Sequence, residues 1–166
     1  MVITEAEIQA KEEHLAKGLP IRLAFSGRLT EIKGVDHLLD VALELKNGRI
    51  PFTLDIFGDG NLKSHLASEI VRMGLDSSVR LRGVLDFHTE LMPTFQQSVD
   101  LFLCCHLQGD PSCTYLETMA CGVPIIGYKN EAWEGMYKLT KAGRLIDMGN
   151  SQHMAEVVAY ISNHRS

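Results

Sequence analysis

The sequence predicts a doubly wound α/β domain, a Rossmann-like and mostly parallel sheet of about six strands with helices on both faces. Three observations predict it. Short apolar runs of strand length alternate with segments whose apolar residues recur at helical spacing, and short connections separate the two. The runs are nearly continuous in apolar character, as strands must be when helices cover both faces of a parallel sheet. Where the runs end, glycines and polar residues follow, and sheets of this kind bind ligands outside those carboxyl ends. At 166 residues the chain has the length of one domain, enough for a sizeable core and too short for two.

Residues Thr4 to Lys17 read as a charged helix: Thr4 can cap the free N–H groups of the first turn, Glu7 completes the capping box, and Gly18 to Pro20 stop it. Residues 1–18 are therefore read as a connector helix and residues 19–166 as the α/β domain. Ile21 to Ser26 is the first buried strand, ending in Gly27-Arg28-Leu29-Thr30. After Lys33-Gly34, residues Val35, Leu38, Leu39, Ala42, Leu43 and Leu45 switch to helical spacing. The second unit repeats the plan, with Phe52 to Phe57 as strand, Gly58-Asp59-Gly60 as turn, and Leu62, Leu66, Ile70 and Val71 as the inner face of a helix. Val79 to Leu81 with Gly83 makes a third strand, Val84 to Phe87 a loop, and the residues around Leu91 to Gln97 a helix. Leu101 to Cys105 is a fourth strand. The next helix carries its start signal in Pro111 and Ser112 and runs to Ala120, before a fifth strand at Val123 to Gly127. Glu131 to Leu139 reads as a short helix, Gly143 to Ile146 as a short strand, and Ser151 to Asn163 as a final amphipathic helix.

Composition narrows the function. Hydrophobic residues make up 45% and charged residues 22% of the chain, ordinary globular values. A net charge of -5 argues against a general nucleic-acid surface, which neutralises phosphates with clustered Lys and Arg. No apolar run approaches the roughly 20 residues that span a bilayer, and Met1 to Pro20 is charged rather than signal-like, so a soluble, cytoplasmic chain is expected. The histidines lack metal-ligand spacing, and Cys104, Cys105, Cys113 and Cys121 form no Cys-x-x-Cys pair, so reduced buried thiols and no metal are expected. No Gly-x-Gly-x-x-Gly follows the first strand, which disfavours a nicotinamide or flavin cofactor.

Candidate chemistry concentrates between Cys104 and Tyr128. Free N–H groups at a helix mouth over Ser112, Cys113 and Thr114, together with the helix dipole, attract an anion. Glu117 lies about one and a half turns in, from where a carboxylate can reach back toward that mouth. A phosphate seat beside an acceptor for hydroxyls suits a nucleotide with a ribose; an ordinary capped crossover would show the same signals. Arg28 and Lys33 flank the first strand-to-helix turn, one offering a planar fork and the other a mobile point charge for phosphate oxygens, or else both are solvated surface charges. The backbone of Gly58 to Gly60 can approach a ligand closely, or simply turn. His106, at a strand end, is expected to be a hydrogen-bonded structural histidine, and Trp133 to pack in the core or between domains.

In order along the chain, Gly27-Arg28-Leu29, Lys33-Gly34-Val35-Asp36, Gly58-Asp59-Gly60, Leu81-Arg82-Gly83-Val84, Asp100-Leu101-Phe102 and Leu116-Glu117-Thr118-Met119-Ala120-Cys121-Gly122-Val123-Pro124 resemble the C-terminal domain of retaining GT-B glycosyltransferases of family 4. The resemblance implies a domain that binds a nucleotide-diphosphate sugar and no cofactor of its own. It further implies an N-terminal GT-B domain that carries most of the acceptor site, lies outside these residues, and is a possible route to peripheral membrane association. It implies that Arg28 and Lys33 hold the diphosphate and stabilise it as leaving group, with Gly27 and Gly58 alongside, and that Ser112, Cys113 and Thr114 seat phosphate through backbone N–H groups. Val84 and Leu85 would meet the base through backbone, and Glu117, the second glutamate of a Glu-x7-Glu pattern, would accept from the ribose hydroxyls. The first glutamate of that pattern would fall at Gly109; Asp110 next to it either supplies the carboxylate or is a solvated loop acid. Hexose transfer with retention, in polysaccharide or glycoconjugate biosynthesis, is the implied activity; a non-catalytic nucleotide-sugar-binding subunit is the alternative.

Overall fold

The computed structural model describes residues 2–109 and 113–165. Six strands form one all-parallel sheet: β1 (Ile21–Ser26), β2 (Phe52–Phe57), β3 (Val79–Gly83), β4 (Leu101–Cys104), β5 (Ile125–Tyr128) and β6 (Gly143–Ile146). Their spatial order is β3-β2-β1-β4-β5-β6, the doubly wound arrangement in which the direction of winding reverses between β1 and β4. Register follows the apolar pattern, with Leu23 beside Leu54 on one side and Leu101 on the other. All four residues of β4 and of β5 are buried, which is why those strands read as unbroken apolar runs.

The helices are α1 (Glu5–Ala16), α2 (Val35–Asn47), α3 (Lys63–Arg72), α4 (Met92–Ser98), α5 (Thr114–Ala120), α6 (Glu131–Thr140) and α7 (Ser151–Asn163). Among the described residues none is long and apolar enough to cross a membrane. The capping box of α1 is formed: Thr4 Oγ1 accepts from the Glu7 N–H at 3.3 Å, and the Glu7 carboxylate accepts from the Thr4 N–H at 2.9 Å. In α2 the core face is Val35, Leu38, Leu39, Val41, Ala42 and Leu45, packed toward the sheet and α7. α3 buries Leu66 and Ile70, but Val71, expected on the inner face, is 68% exposed. One residue beyond Ile70 is about 100° further round the helix, which carries Val71 off the buried stripe. Helical structure also begins earlier than expected before α4: one π-helical turn, Phe87–Leu91, leads into it without a break. Asp86 starts that turn by accepting from the N–H groups of His88 and Thr89, while Glu90 accepts from the Asp86 N–H at 2.9 Å.

Candidate functional site

All strands being parallel, their carboxyl ends share one edge, and there the loops are tied to one another by backbone. The turn after β1 is stitched to the turn after β2: Leu29 N–H donates to Asp59 O at 3.0 Å and Leu62 N–H to Leu29 O at 3.0 Å. Gly58 N–H reaches across to Gly83 O at the end of β3, 2.8 Å away. On the other side of the winding reversal, Leu107 N–H after β4 donates to Ile32 O after β1 at 2.9 Å. A preformed rim of this kind can hold a ligand without being reordered by it.

The glycines are required by this stitching. Gly58 has φ +132°, and a β-carbon there would stand 1.9 Å from Gly27 O; one on Gly60 would stand 2.4 Å from Leu29 O. The close approach expected of Gly58-Asp59-Gly60 is therefore made to the neighbouring turn. What remains above the stitched backbone is an open cleft of about 660 Å³ lined by Ser26, Gly27, Arg28, Gly58, Asp59, Gly60 and Val84. Leu29, 1% exposed, anchors the turn in the core and leaves Arg28 outward. The Arg28 guanidinium makes no hydrogen bond or ion pair with a described residue, so its donors face the cleft side of the molecule unspent.

Lys33 closes a short 3-10 turn, Glu31–Lys33, before Gly34 in the left-handed region at φ +64°. A β-carbon on Gly34 would stand 1.9 Å from Cys105 O, so the turn that carries Lys33 rests directly on the end of β4. Burial pushes the Cys104 thiol up, partly opposed by the Tyr115 hydroxyl, the backbone at His106 and the charge of Lys33, whose ammonium thus lies within electrostatic reach of that strand end.

Helix α5 starts at Thr114, with Cys113 in the cap position and no side-chain hydrogen bond capping it. The expected cap at Ser112 and the candidate carboxylate Asp110 lie, with Pro111, outside the described residues. Cys104, Cys105 and Cys121 are buried thiols as expected, but Cys113 is exposed, because it stands at the mouth of the helix rather than on its inner face. The carboxylate of half-buried Glu117 makes no hydrogen bond or ion pair with a described residue. It lines a second cavity, of about 340 Å³, with Phe87, His88, Met92, Leu116 and Ala120. Arg28 and Glu117 are thus presented to two neighbouring hollows, and the loop after β3 reaches both: Val84, 74% exposed, lines the first, and Phe87 and His88 line the second. Leu85 turns its side chain to the core, which leaves only its backbone for a ligand. Sequence reasoning missed His88; the Asp86 and Glu90 capping pair that fixes its turn was the available signal.

Behind α5 the polar residues are structural. His106, 2% exposed, sits edge-on to Phe25 and 3.5 Å from the Tyr115 hydroxyl. Tyr115 stacks on buried Trp133, whose indole N–H donates to Arg144 O at 3.0 Å. Asn130 caps α6 and donates to both His106 O and the Tyr115 hydroxyl at 3.4 Å.

A doubly wound parallel sheet with a preformed cleft and an unspent guanidinium outside its carboxyl ends has the architecture of the α/β domains that take ligands at that edge. The particular family follows from sequence: residues 20–164 match the family model of glycosyl transferases group 1, and the chain belongs to that family. It is 26% identical over 150 residues to the amylovoran biosynthesis glycosyltransferase AmsK of Erwinia amylovora, a match covering 86% of this chain and 36% of AmsK. Against the 2-deoxystreptamine glucosyltransferase of Streptomyces kanamyceticus it is 26% identical over 125 residues, covering 72% of this chain and 32% of that protein. The chain therefore spans about a third of the length of these curated relatives. Its fold is that of HepE from Anabaena, solved with UDP and glucose (TM-score 0.77, 20% identity, 97% of this chain and 44% of that one). It is equally that of the C-terminal domain of the group 1 glycosyl transferase LpcC from Francisella tularensis (TM-score 0.73, 20% identity, 98% of this chain and 85% of that one).

Proposed function

We propose that this chain is the donor-binding part of a cytoplasmic glycosyltransferase that moves a hexose from a nucleotide-diphosphate sugar to an acceptor with retention, in polysaccharide or glycoconjugate biosynthesis and without a cofactor of its own. Arg28 carries the reading: a cation with no protein partner among the described residues, on a turn whose backbone is already fixed, next to a cleft. Bond breaking at the anomeric carbon leaves negative charge on the diphosphate. Arg28, Lys33 and the N–H groups around Cys113 and Thr114 would receive it, with no reorganisation at the moment of reaction. Glu117 would accept from the ribose hydroxyls and the backbone of Val84 and Leu85 would meet the base. The acceptor site would lie on a partner domain, so this chain alone binds donor and transfers no sugar. One observation favours the non-catalytic alternative: at Gly109, eight residues before Glu117, a β-carbon would stand 3.2 Å from Glu131 Cβ, too tight for a glutamate without a shift.

Calorimetry with UDP and uridine tests the reading. UDP should bind at least about tenfold more tightly, and Arg28→Ala should remove most of that difference, as loss of a charge-assisted hydrogen bond would. Glu117→Gln should weaken UDP about threefold or more and 2′-deoxy-UDP less, because an amide presents one acceptor oxygen where the carboxylate presents two. Equal affinity for UDP and uridine, or no binding of either, would sink the proposal.

A further inference from the structure

Helix α1 precedes the span that matches the family model. Its one buried residue is a lysine, Lys11, 7% exposed. The ammonium donates to Phe95 O in α4 at 2.8 Å and to Cys121 O, at the C-cap of α5, at 3.4 Å. These are carbonyls of helix ends, which have no partner within their own helices and sit at the negative poles of the helix dipoles. The residues before α1 hold the same place: Ile3 N–H donates to Ala120 O at 3.0 Å, and the Ile3 side chain fills the space beside Gly122. Two adjacent carbonyls at the end of α5 are therefore bound by the N-terminal segment, and the same lysine binds α4.

The two helices so joined are the ones that frame the Glu117 cavity. Met92, the first residue of α4, and Leu116, Glu117 and Ala120 of α5 all line it. With seven residues, α5 is too short to persist by its own hydrogen bonds, so its position depends on what holds its ends. Glu117 lies one turn from the held end, its carbonyl accepting from the Cys121 N–H at 3.2 Å.

We propose that Lys11 is a positioning residue of the donor site: by tying the carboxyl ends of α4 and α5 together, it sets where Glu117 stands, so that the N-terminal segment governs affinity for the ribose-bearing part of the ligand. This rests on the reading of Glu117 given above. Arg28 and Lys33, on the turn after β1, make no use of the tie, whereas the mouth of α5 shares it with Glu117.

Two measurements on the whole chain test it. Hydrogen exchange, which needs no ligand, should show the Glu117 and Cys121 amides of Lys11→Ala losing protection about tenfold or more relative to those of β1 and β2. Calorimetry should show UDP binding weakened about tenfold and 2′-deoxy-UDP binding weakened at least about twofold less, with Lys11→Arg restoring UDP affinity because a guanidinium can still bridge two carbonyls. Lys11→Met, which keeps the apolar stem, serves in place of Lys11→Ala if the smaller side chain prevents folding. Unchanged exchange in α5 would overturn the proposal, and so would equal losses for UDP and 2′-deoxy-UDP. Failure of the wild-type chain to bind UDP would sink the functional reading instead, and exchange alone would then decide whether Lys11 positions α5.

Discussion

Two arginines six residues apart, at the head and just past the tail of β1, are used in opposite ways. Arg22, at the amino edge of the sheet, is spent: Nε and Nη2 donate to the two oxygens of Asp100 at 3.1 and 2.9 Å, and its backbone N–H donates to the same carboxylate at 2.8 Å. The Asp100 side chain is 2% exposed, so the pair satisfies a carboxylate that burial would otherwise penalise. The guanidinium of Arg28, at the carboxyl edge, makes no hydrogen bond or ion pair with a described residue, although Asp59 shares its cleft. The difference teaches where the molecule keeps structure and where it keeps capacity for a ligand. One edge neutralises its charges internally, while the other builds its rigidity from backbone and leaves a cation over.

The sharpest way to break this contrast is at the backbone of the carboxyl edge. Gly58→Ala should cost more than about 3 kcal/mol, since alanine is strained at φ +132° and its methyl would occupy the place of Gly27 O. Denaturant unfolding checks it, and a stable, folded Gly58→Ala chain would show that the stitched turns can part. Next in size, Arg22→Ala should cost about 2 kcal/mol by leaving a buried carboxylate short of partners, with UDP affinity unchanged. Arg28→Ala should do the reverse, changing stability by less than about 0.5 kcal/mol. If both variants lost stability alike, Arg28 would be a structural residue and the contrast would be gone.

A last effect concerns pH. Burial lowers the Lys11 ammonium from 10.5 to about 8, with Asp100, Cys121 and Glu7 pulling the other way and Arg22 adding to the shift. Below pH 8 folded and unfolded chains both hold the proton, and this group adds no slope. Between about 8 and 10 the unfolded chain keeps a proton that the folded chain has lost, so stability should rise by roughly 1 kcal/mol per pH unit. Melting curves of the wild type and Lys11→Met across that range isolate the effect, because only the wild type should gain. Parallel curves would mean that Lys11 is not buried in solution.

Much of the fold was legible in the sequence. β1, β2, β6 and α7 fall on the residues that the apolar runs marked, and the Thr4 and Glu7 capping box is present. The apolar run Val123 to Gly127 starts two residues before β5, because Val123 and Pro124 are apolar but precede the paired residues, Pro124 meeting β4 only through its carbonyl. The site was legible in part. Arg28, Gly58 and Val84 share one cleft, as an edge of parallel strands requires, but Glu117 opens onto a second cavity with Phe87 and His88 that no motif announced.

By itself the sequence determined the elements, their parallel winding and the family, because apolar period, caps and turn residues act within a few positions of one another. Only the tertiary structure decided what each charge and glycine is for. Arg22 meets Asp100 across 78 residues, Lys11 meets Cys121 across 110, and the hydrogen atom of Gly58 faces a carbonyl on another turn. Whether a charge is neutralised or left for a ligand depends on which partner folding brings within about 3 Å of it, and local pattern holds no record of that distance.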